Sequence, residues 1–171
     1  MKTRYKYRFY PTDQQKQELG KLFGGVRYVW NEAVSHCQTL GKYLGYNRLA
    51  SRLKVLKQTT DWLKEVSSVA LQQSLRHLDK AYQNWFKGKG YPRFKKRVAA
   101  QSATLTSNGF SIQNQEVYLA KVGVVKPIWS RELPSIPSSV TIIKDAGGRY
   151  FLSFIVEVQP VKIQPKSPSV G

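Results

Sequence analysis

The chain begins with a strict alternation of cationic side chains with aromatic or hydroxyl ones. Between Lys2 and Phe9 every even position is Lys or Arg, and every odd position is Thr, Tyr or Phe. A period of two with aromatic residues predicts a β-strand that packs one face and turns the other outward. Four cations on one face without an intervening acid favour an anionic partner, with a solvated face as the alternative.

After Pro11 the period changes to three and four residues, which predicts helices. Thr12 and Gln15 form a capping-box pattern at the start. Gly24-Gly25 interrupts the apolar stripe that follows, either as a break between two helices or as a close helix contact. The stripe consists of Leu19, Leu22, Phe23, Val26, Trp30, Ala33, Val34 and Cys37.

Two further helices are predicted, from Tyr46 to about Lys57 and from Ser67 to about Phe86. The second carries an apolar seam of Leu71, Leu75, Leu78, Tyr82 and Trp85. A different face carries Ser68, Gln72, Arg76, Asp79 and Gln83. Such side chains donate and accept hydrogen bonds at base edges, although an ordinary solvated helix face has the same pattern.

Residues 87–97 form a segment that we call the basic loop. Six of its eleven residues are cationic and none is acidic. Gly88, Gly90 and Pro92 oppose continuation of the helix. Tyr91 and Phe94 lie between the charges, a pattern that suits phosphate contact with base stacking. A flexible basic linker is the alternative.

Beyond residue 100 the pattern changes to short strands, predicted at 103–107, 111–113, 117–125, 140–144 and 150–158. Several short strands separated by turns predict a small barrel, which the strand at residues 2–10 would complete. The predicted fold class is therefore α+β, with the helices inserted into a small β-barrel.

Charge decides the class of partner. The 171 residues contain 28 Lys and Arg against 10 Asp and Glu, a formal net charge of +18. A compact domain with this charge repels itself, and a polyanion relieves the repulsion. Nucleic acid is the first expectation, before an anionic membrane or a purely solubilising charge. The absence of a signal sequence and of a long apolar segment predicts a cytoplasmic protein without a membrane partner.

Candidate catalytic chemistry is sparse. The acids are scattered, and His36 and His77 fall on different predicted helices. Cys37 is the single cysteine and lies on an apolar stripe, where a free thiol behaves as a small hydrophobe. Nuclease chemistry normally needs clustered carboxylates that hold Mg²⁺. We therefore expect no catalytic residue, no metal site and no cofactor within these residues.

Several short motifs, in this order and spacing, resemble the N-terminal half of TnpB, the OrfB-type protein of bacterial insertion sequences. They are residues 8–12 (RFYPT), 26–31 (VRYVWN), 62–66 (WLKEV), 70–75 (ALQQSL), 81–86 (AYQNWF) and 90–96 (GYPRFKK). The resemblance implies a wedge domain with an oligonucleotide-binding-type barrel. Residues 1–11 would form its first strand, 12–97 a helical recognition insertion that ends in the basic loop, and 98–159 the remaining barrel.

The resemblance also implies partners: a guide RNA and a target DNA duplex, which the family cuts with a RuvC-type domain. Residues 160–171 would lead towards that domain as a linker. The sequence reaches Gly171 without the family's G-[IV]-D context for the first catalytic Asp. Mg²⁺ and Zn²⁺ are therefore expected to belong to a nuclease domain outside these residues.

Site residues follow from the resemblance and from the charge pattern. Family positions that read the duplex motif beside the target match Tyr46, Gln72 and Thr106 by type, while Ser68 and Ser107 occupy positions whose type varies. Base stacking is assigned to Tyr91 and Phe94. Nucleic-acid backbone contacts are assigned to Arg4, Lys6, Arg8, Arg76, Lys87, Lys89, Arg93, Lys95, Lys96 and Arg97.

The predicted function is therefore guide-RNA and target-motif binding as part of a TnpB-like nuclease. Two alternatives remain open at this point: an RNA-independent DNA-binding repressor derived from the same family, and a basic RNA-binding assembly protein.

Overall fold

A computed structural model describes residues 1–159 as an α+β fold with three α-helices and two antiparallel sheets. The expected linker at 160–171 lies outside the described residues. The helical elements are α1 (Asp13–Leu40), α2 (Tyr46–Thr59), a short 3-10 helix (Asp61–Glu65) and α3 (Ser68–Phe86). The strands are β1 (Lys2–Phe9), β2 (Gln101–Thr106), β3 (Phe110–Gln113), β4 (Glu116–Leu119), β5 (Gly123–Val125), β6 (Ser139–Lys144) and β7 (Tyr150–Glu157).

The larger sheet joins the two ends of the described chain. Its strand order is β1-β7-β6-β2, and β1 pairs with β7 from Lys2↔Glu157 to Phe9↔Tyr150. The helices are therefore an insertion between two strands of one sheet. As the alternation predicted, Tyr7 and Phe9 are buried, whereas Lys2, Arg4 and Lys6 are exposed on the opposite face.

The strands do not close into the barrel that the sequence predicted. In the described residues, β1 and β2 are the edges of the larger sheet, and β3-β4-β5 form a separate sheet. Val117 and Leu119 of β4 are buried in the same core as Leu152 and Phe154 of β7. Strand β2 pairs with β6 on one side only in this part of the chain, and it also packs against α3.

The predicted strand 117–125 is two strands joined by a tight turn. Lys121 and Gly123 have φ of 66° and 113°, outside the extended region. The backbone N–H of Val122 donates to the carbonyl oxygen of Leu119 at 3.0 Å and closes the turn. Because the residues on both sides of the turn are apolar, the hydrophobic pattern did not reveal it.

Helix α1 is continuous, so the glycine pair is a close contact rather than a break. A Cβ atom built on Gly25 would lie 3.0 and 3.1 Å from the two Cγ atoms of Val66. The predicted capping box is present: Gln15 N donates to Thr12 Oγ1 at 3.2 Å, and Thr12 N donates to Gln15 Oε1 at 3.0 Å. At the other end the helix stops at Gly41, in the left-handed region with φ of 71°.

Helices α1 and α3 pack together over a shared apolar core. Leu19, Leu71, Leu75 and Leu78 are fully buried there. The Ser74 hydroxyl donates to the carbonyl oxygen of Val26 at 2.9 Å, which satisfies a polar group inside the contact. The predicted seam of α3 is therefore correct in its middle. It is wrong at Trp85 in the last turn, which is 40% exposed.

The close approach at Gly25 predicts a specific destabilisation. Gly25→Val should lower the free energy of unfolding by about 1–3 kcal/mol, because the added carbons overpack the contact with Val66. Gly20→Val is the matched control, since a Cβ at Gly20 of the same helix meets nothing within 4 Å. Urea unfolding measures both variants, and equal stabilities would contradict the close-contact interpretation.

Candidate nucleic-acid interface

The cations that the sequence assigned to nucleic-acid contact are not neutralised by acids. In the part of the chain that the structure describes, ion pairs involve the Met1 amino group and five side chains: Lys21, Arg52, Lys64, Lys126 and Arg149. None of the ten assigned cations is among them. These ten charges are therefore available to an external polyanion.

The basic loop is tied to α1 through its backbone. Trp30 Nε1 donates to the carbonyl oxygen of Arg93 at 2.7 Å. The Asn31 amide accepts from the backbone N–H of Lys95 at 2.7 Å and donates to the Lys95 carbonyl oxygen at 3.0 Å. Gln101 Nε2 lies within 3.0 Å of the carbonyl oxygens of Lys96, Arg97 and Ala99. The backbone is thus held while the cationic side chains of the loop are exposed.

The two assigned stacking residues have different environments. Tyr91 is half-buried, and its hydroxyl lies 3.0 Å from that of Tyr82. Its ring also makes edge contacts with Tyr82 and Trp85 at 5.5 and 4.9 Å between centroids. Phe94 is 50% exposed and lines a groove of about 700 Å³ together with Arg27 and Trp62. Phe94 therefore offers an open ring, whereas Tyr91 attaches the loop to α3.

Three elements converge on a surface that we call the cationic cleft, formed by Arg4, His77, Lys80 and Lys95. His77 of α3 is exposed, yet its pKa is lowered, first by desolvation and then by the charges of Lys95, Arg4 and Lys80. Desolvation also lowers the pKa of Lys95, whose Nζ lies 4.4 Å from the ring centroid of Trp30. Three cations from β1, α3 and the basic loop thus act on one imidazole, and such a concentration of positive charge attracts anions.

The residues assigned to motif reading lie around the first half of α3. Ser68 and Gln72 are exposed on the same helix face as Arg76. The Arg76 guanidinium lies 4.2 Å from the ring centroid of Tyr46, the first residue of α2.

The turn after β2 reaches the same part of α3. Gly109 N donates to the carbonyl oxygen of Thr106 at 2.8 Å and closes a turn that includes Ser107. A Cβ atom on Gly109 would lie 3.3 Å from Cγ1 of Val69, so this turn packs on the first turn of α3. Residues separated by up to about sixty positions in sequence thus border one helix.

Comparison with known proteins places the chain among OrfB-type relatives. Residues 1–42 match the model of the OrfB helix-turn-helix domain of IS605. The chain is 42% identical over 92% of its length to a predicted RNA-guided DNA endonuclease of Streptomyces pristinaespiralis. It is 30% identical over 98% of its length to a predicted RNA-guided DNA endonuclease, InsQ, of Escherichia coli K12.

The chain belongs to the TnpB family of OrfB-type proteins. It spans 42% and 44% of the lengths of the two relatives above, so less than half of each. The virulence protein VsdF of Salmonella dublin is 31% identical over 52% of the chain and 87% of VsdF. The helix-turn-helix description does not fit residues 1–42 in this structure, which contain β1 and the continuous helix α1.

Within residues 1–159, no three His, Cys, Asp or Glu side chains lie close enough together to hold a metal ion. None of the helices in that range combines the length and the apolar character needed to cross a bilayer.

Two large side chains on the cationic side of the larger sheet were not predicted from the sequence. Phe151 and Ile155 of β7 face away from the core, on the same side of the sheet as the cations. On the opposite, aromatic face of β1, the Arg131 guanidinium carbon lies 3.4 Å from the ring centroid of Tyr5. The sequence did contain a signal for the β7 residues. The outward-facing positions of that strand include two large apolar residues, whereas a solvated face would be polar.

The charge around His77 predicts a measurable titration. Lys95→Met should raise the pKa of His77 towards its ordinary value of about 6.5, because it removes a neighbouring positive charge. Lys54→Met is the matched control, since Lys54 of α2 is not among the charges that act on His77. NMR titration of the His77 ring protons measures the change, and an unchanged pKa in Lys95→Met would contradict the cleft.

The lowered pKa of His77 also makes the free energy of unfolding depend on pH. The unfolded chain binds a proton at His77 more readily than the folded chain, because the folded pKa is the lower one. The contribution of His77 to stability is therefore present above about pH 6.5 and is lost as the pH falls below that value. The loss should be smaller in Lys95→Met than in Lys54→Met when thermal unfolding is followed across this range.

Proposed function

We propose that this chain is a nucleic-acid-binding module that holds a guide RNA and reads a short duplex motif beside a DNA target. The single observation that carries the proposal is the set of ten cations without acid partners in the described residues. Lys and Arg that contact phosphates release condensed counterions, and this release drives most non-specific binding to nucleic acid. The names of the two RNA-guided relatives are consistent with RNA and DNA as partners.

The backbone contacts would divide between β1, α3 and the basic loop. Arg4 of β1 and Lys95 of the loop act together on His77, so phosphates in the cationic cleft would meet both elements. The anchored backbone of the loop limits the conformational entropy lost on binding. The two sheets would then serve as the wedge domain, and the helices as the recognition insertion.

The exposed face of α3 is proposed to read the duplex motif. Ser68, Gln72 and Arg76 are separated by four residues each, so they lie along one line that fits a DNA groove. Gln can form two hydrogen bonds with adenine, and Arg can form two with guanine. Tyr46 stacks against Arg76 and would fix the direction of its guanidinium, while Thr106 and Ser107 would approach from the adjoining turn.

Sequence search beyond this motif would be delegated to RNA–DNA pairing, as in other RNA-guided systems. Cleavage of DNA is proposed only for a protein with the length of the relatives. Mg²⁺ and Zn²⁺ would be held by its nuclease part, outside the residues described here.

Purification at low salt, followed by sequencing of the bound nucleic acid, tests the guide-RNA role. A single discrete RNA that maps beside the encoding gene is the expected result. Ribonuclease treatment then separates the alternatives, because a repressor would keep its duplex selectivity without RNA. Heterogeneous nucleic acid that moderate salt removes would contradict the guide-RNA role.

Affinity for nucleic acid should fall steeply with salt. For 6–10 phosphate contacts, the loss between 50 and 200 mM salt is about 10³–10⁵-fold. Lys96→Ala should make the plot of log affinity against log salt shallower by about 0.9, because one contact is lost. Lys126→Ala is the matched control, since Lys126 pairs with Glu116 at 3.6 Å. Equal slopes in the two variants would argue against contact at Lys96.

Gln72 is expected to contribute selectivity among duplex sequences. Gln72→Ala should reduce discrimination between the best duplex motif and its single-base variants by about 1–3 kcal/mol, with an unchanged salt dependence. Gln83→Ala is the matched control, because Gln83 is exposed on the same helix, three turns further on. Competition binding against a randomised duplex pool measures both, and undiminished selectivity in Gln72→Ala would remove this face from motif reading.

A further inference from the structure

Cations and aromatic rings alternate along the open face of the larger sheet, in a group that we call the cation–aromatic ladder: Tyr10, Arg8, Phe151 and Lys6. The Arg8 guanidinium carbon lies 4.8 Å from the ring centroid of Tyr10 and 5.5 Å from that of Phe151. Lys6 Nζ lies 4.2 Å from the Phe151 centroid. Arg8 of β1 and Phe151 of β7 are directly paired positions, so the register of the two strands fixes this order.

The ladder does not belong to the protein core. Phe151 is absent from the buried core and from the side chains packed against it, and Tyr10 is 68% exposed. An aromatic ring of this size normally buries its surface in a core or an interface. The exposed side of the Tyr10 ring is therefore free to accept a flat partner.

Arg8 retains hydrogen-bonding capacity that the protein does not use. Its Nε atom is buried and has no hydrogen-bond partner among residues 1–159. Its guanidinium makes no ion pair in that range, and the nearest acid on this face of β7, Glu157, is paired with the Met1 amino group at 2.8 Å. The other two guanidinium nitrogens of Arg8 are not buried in this way and form no hydrogen bond in that range, so they are the donors that an external acceptor can reach.

We propose that the cation–aromatic ladder binds one unpaired nucleotide step, with the base stacked on Tyr10 and the adjacent phosphate held by Arg8 and Lys6. A ligand for this surface needs a flat π-system and a negative charge a few ångströms apart. An unpaired nucleotide has both, whereas a base inside a duplex has its faces covered by neighbours. This inference rests on the proposed nucleic-acid function and adds that this face of the sheet binds single-stranded nucleic acid.

The ladder is separate from the face assigned to duplex reading. Ser68, Gln72 and Arg76 lie on α3, whereas the ladder lies on β1 and β7. Loss of stacking on Tyr10 should therefore leave duplex binding largely unchanged, which provides an internal reference for the experiment.

The test uses the full chain and fluorescence anisotropy, with labelled oligouridine, oligothymidine and a hairpin duplex as probes. Tyr10→Ala should weaken single-strand binding by roughly 5–150-fold, the cost of one lost base–aromatic stack. It should change duplex binding by less than about twofold, a difference within the usual scatter for surface substitutions. Tyr10→Phe keeps the ring and should bind as the wild type does. The strand that the wild type binds more tightly identifies RNA or DNA as the source of the nucleotide.

Tyr118→Ala is the matched control, because Tyr118 is 49% exposed on β4 of the smaller sheet. Equal single-strand affinities for Tyr10→Ala and Tyr118→Ala would overturn the inference and leave the proposed function intact. An equal loss for single strand and duplex, or a loss in Tyr10→Phe as large as in Tyr10→Ala, would also overturn it. A wild type that binds none of the probes would overturn both the inference and the proposed function. Thermal unfolding of each variant checks the fold.

Discussion

The antiparallel pairing of β1 with β7 is the constraint on which the rest of the structure depends. It joins the first strand to the last one described, from Lys2↔Glu157 to Phe9↔Tyr150. A slip of one residue would turn Tyr7 and Phe9 outward and bury the cations, at a cost that no compact fold could offset. The register therefore fixes two surfaces at once: an aromatic face for the core and a cationic face for a partner. It also makes the helices an insertion whose two ends return to the same sheet.

The distribution of acids is as important as the number of cations. Seven of the ten acids are in ion pairs, and they pair with cations outside the assigned interface or with the Met1 amino group. The ion pairs therefore leave the cations of β1, of the basic loop and at Arg76 without acid partners, together with others such as Lys54 and Lys57 of α2. Around His77 this charge meets partial desolvation, and both effects oppose protonation of the imidazole. Such a surface is destabilised by its own repulsion until a polyanion relieves it.

Local signals predicted most of the elements, and long-range packing caused the errors. The alternation of β1, the capping box at Thr12 and the polar face of α3 depend on neighbours within a few residues. The contact of Gly25 with Val66 depends on residues forty positions apart. The partial burial of Tyr91 depends on its contact with Tyr82, and the position of β2 depends on its contact with α3. None of these long-range contacts produces a recognisable pattern in the local sequence. On the candidate interface, cations without acid neighbours are visible in the sequence, whereas the environments of the aromatic side chains are not.

Helix α3 connects the two proposed binding surfaces. At about 100° per residue, Gln72 and His77 lie roughly 140° apart around its axis. One side therefore faces the Thr106 turn and Tyr46, and another side faces the cationic cleft. The helix cannot rotate without disrupting the buried leucines and the hydrogen bond from Ser74 to Val26. The distance between a duplex on the motif-reading side and phosphates in the cleft would therefore be set by a rigid element. Such an arrangement suits a protein that must hold the end of a duplex in a fixed relation to the place where its strands begin to separate.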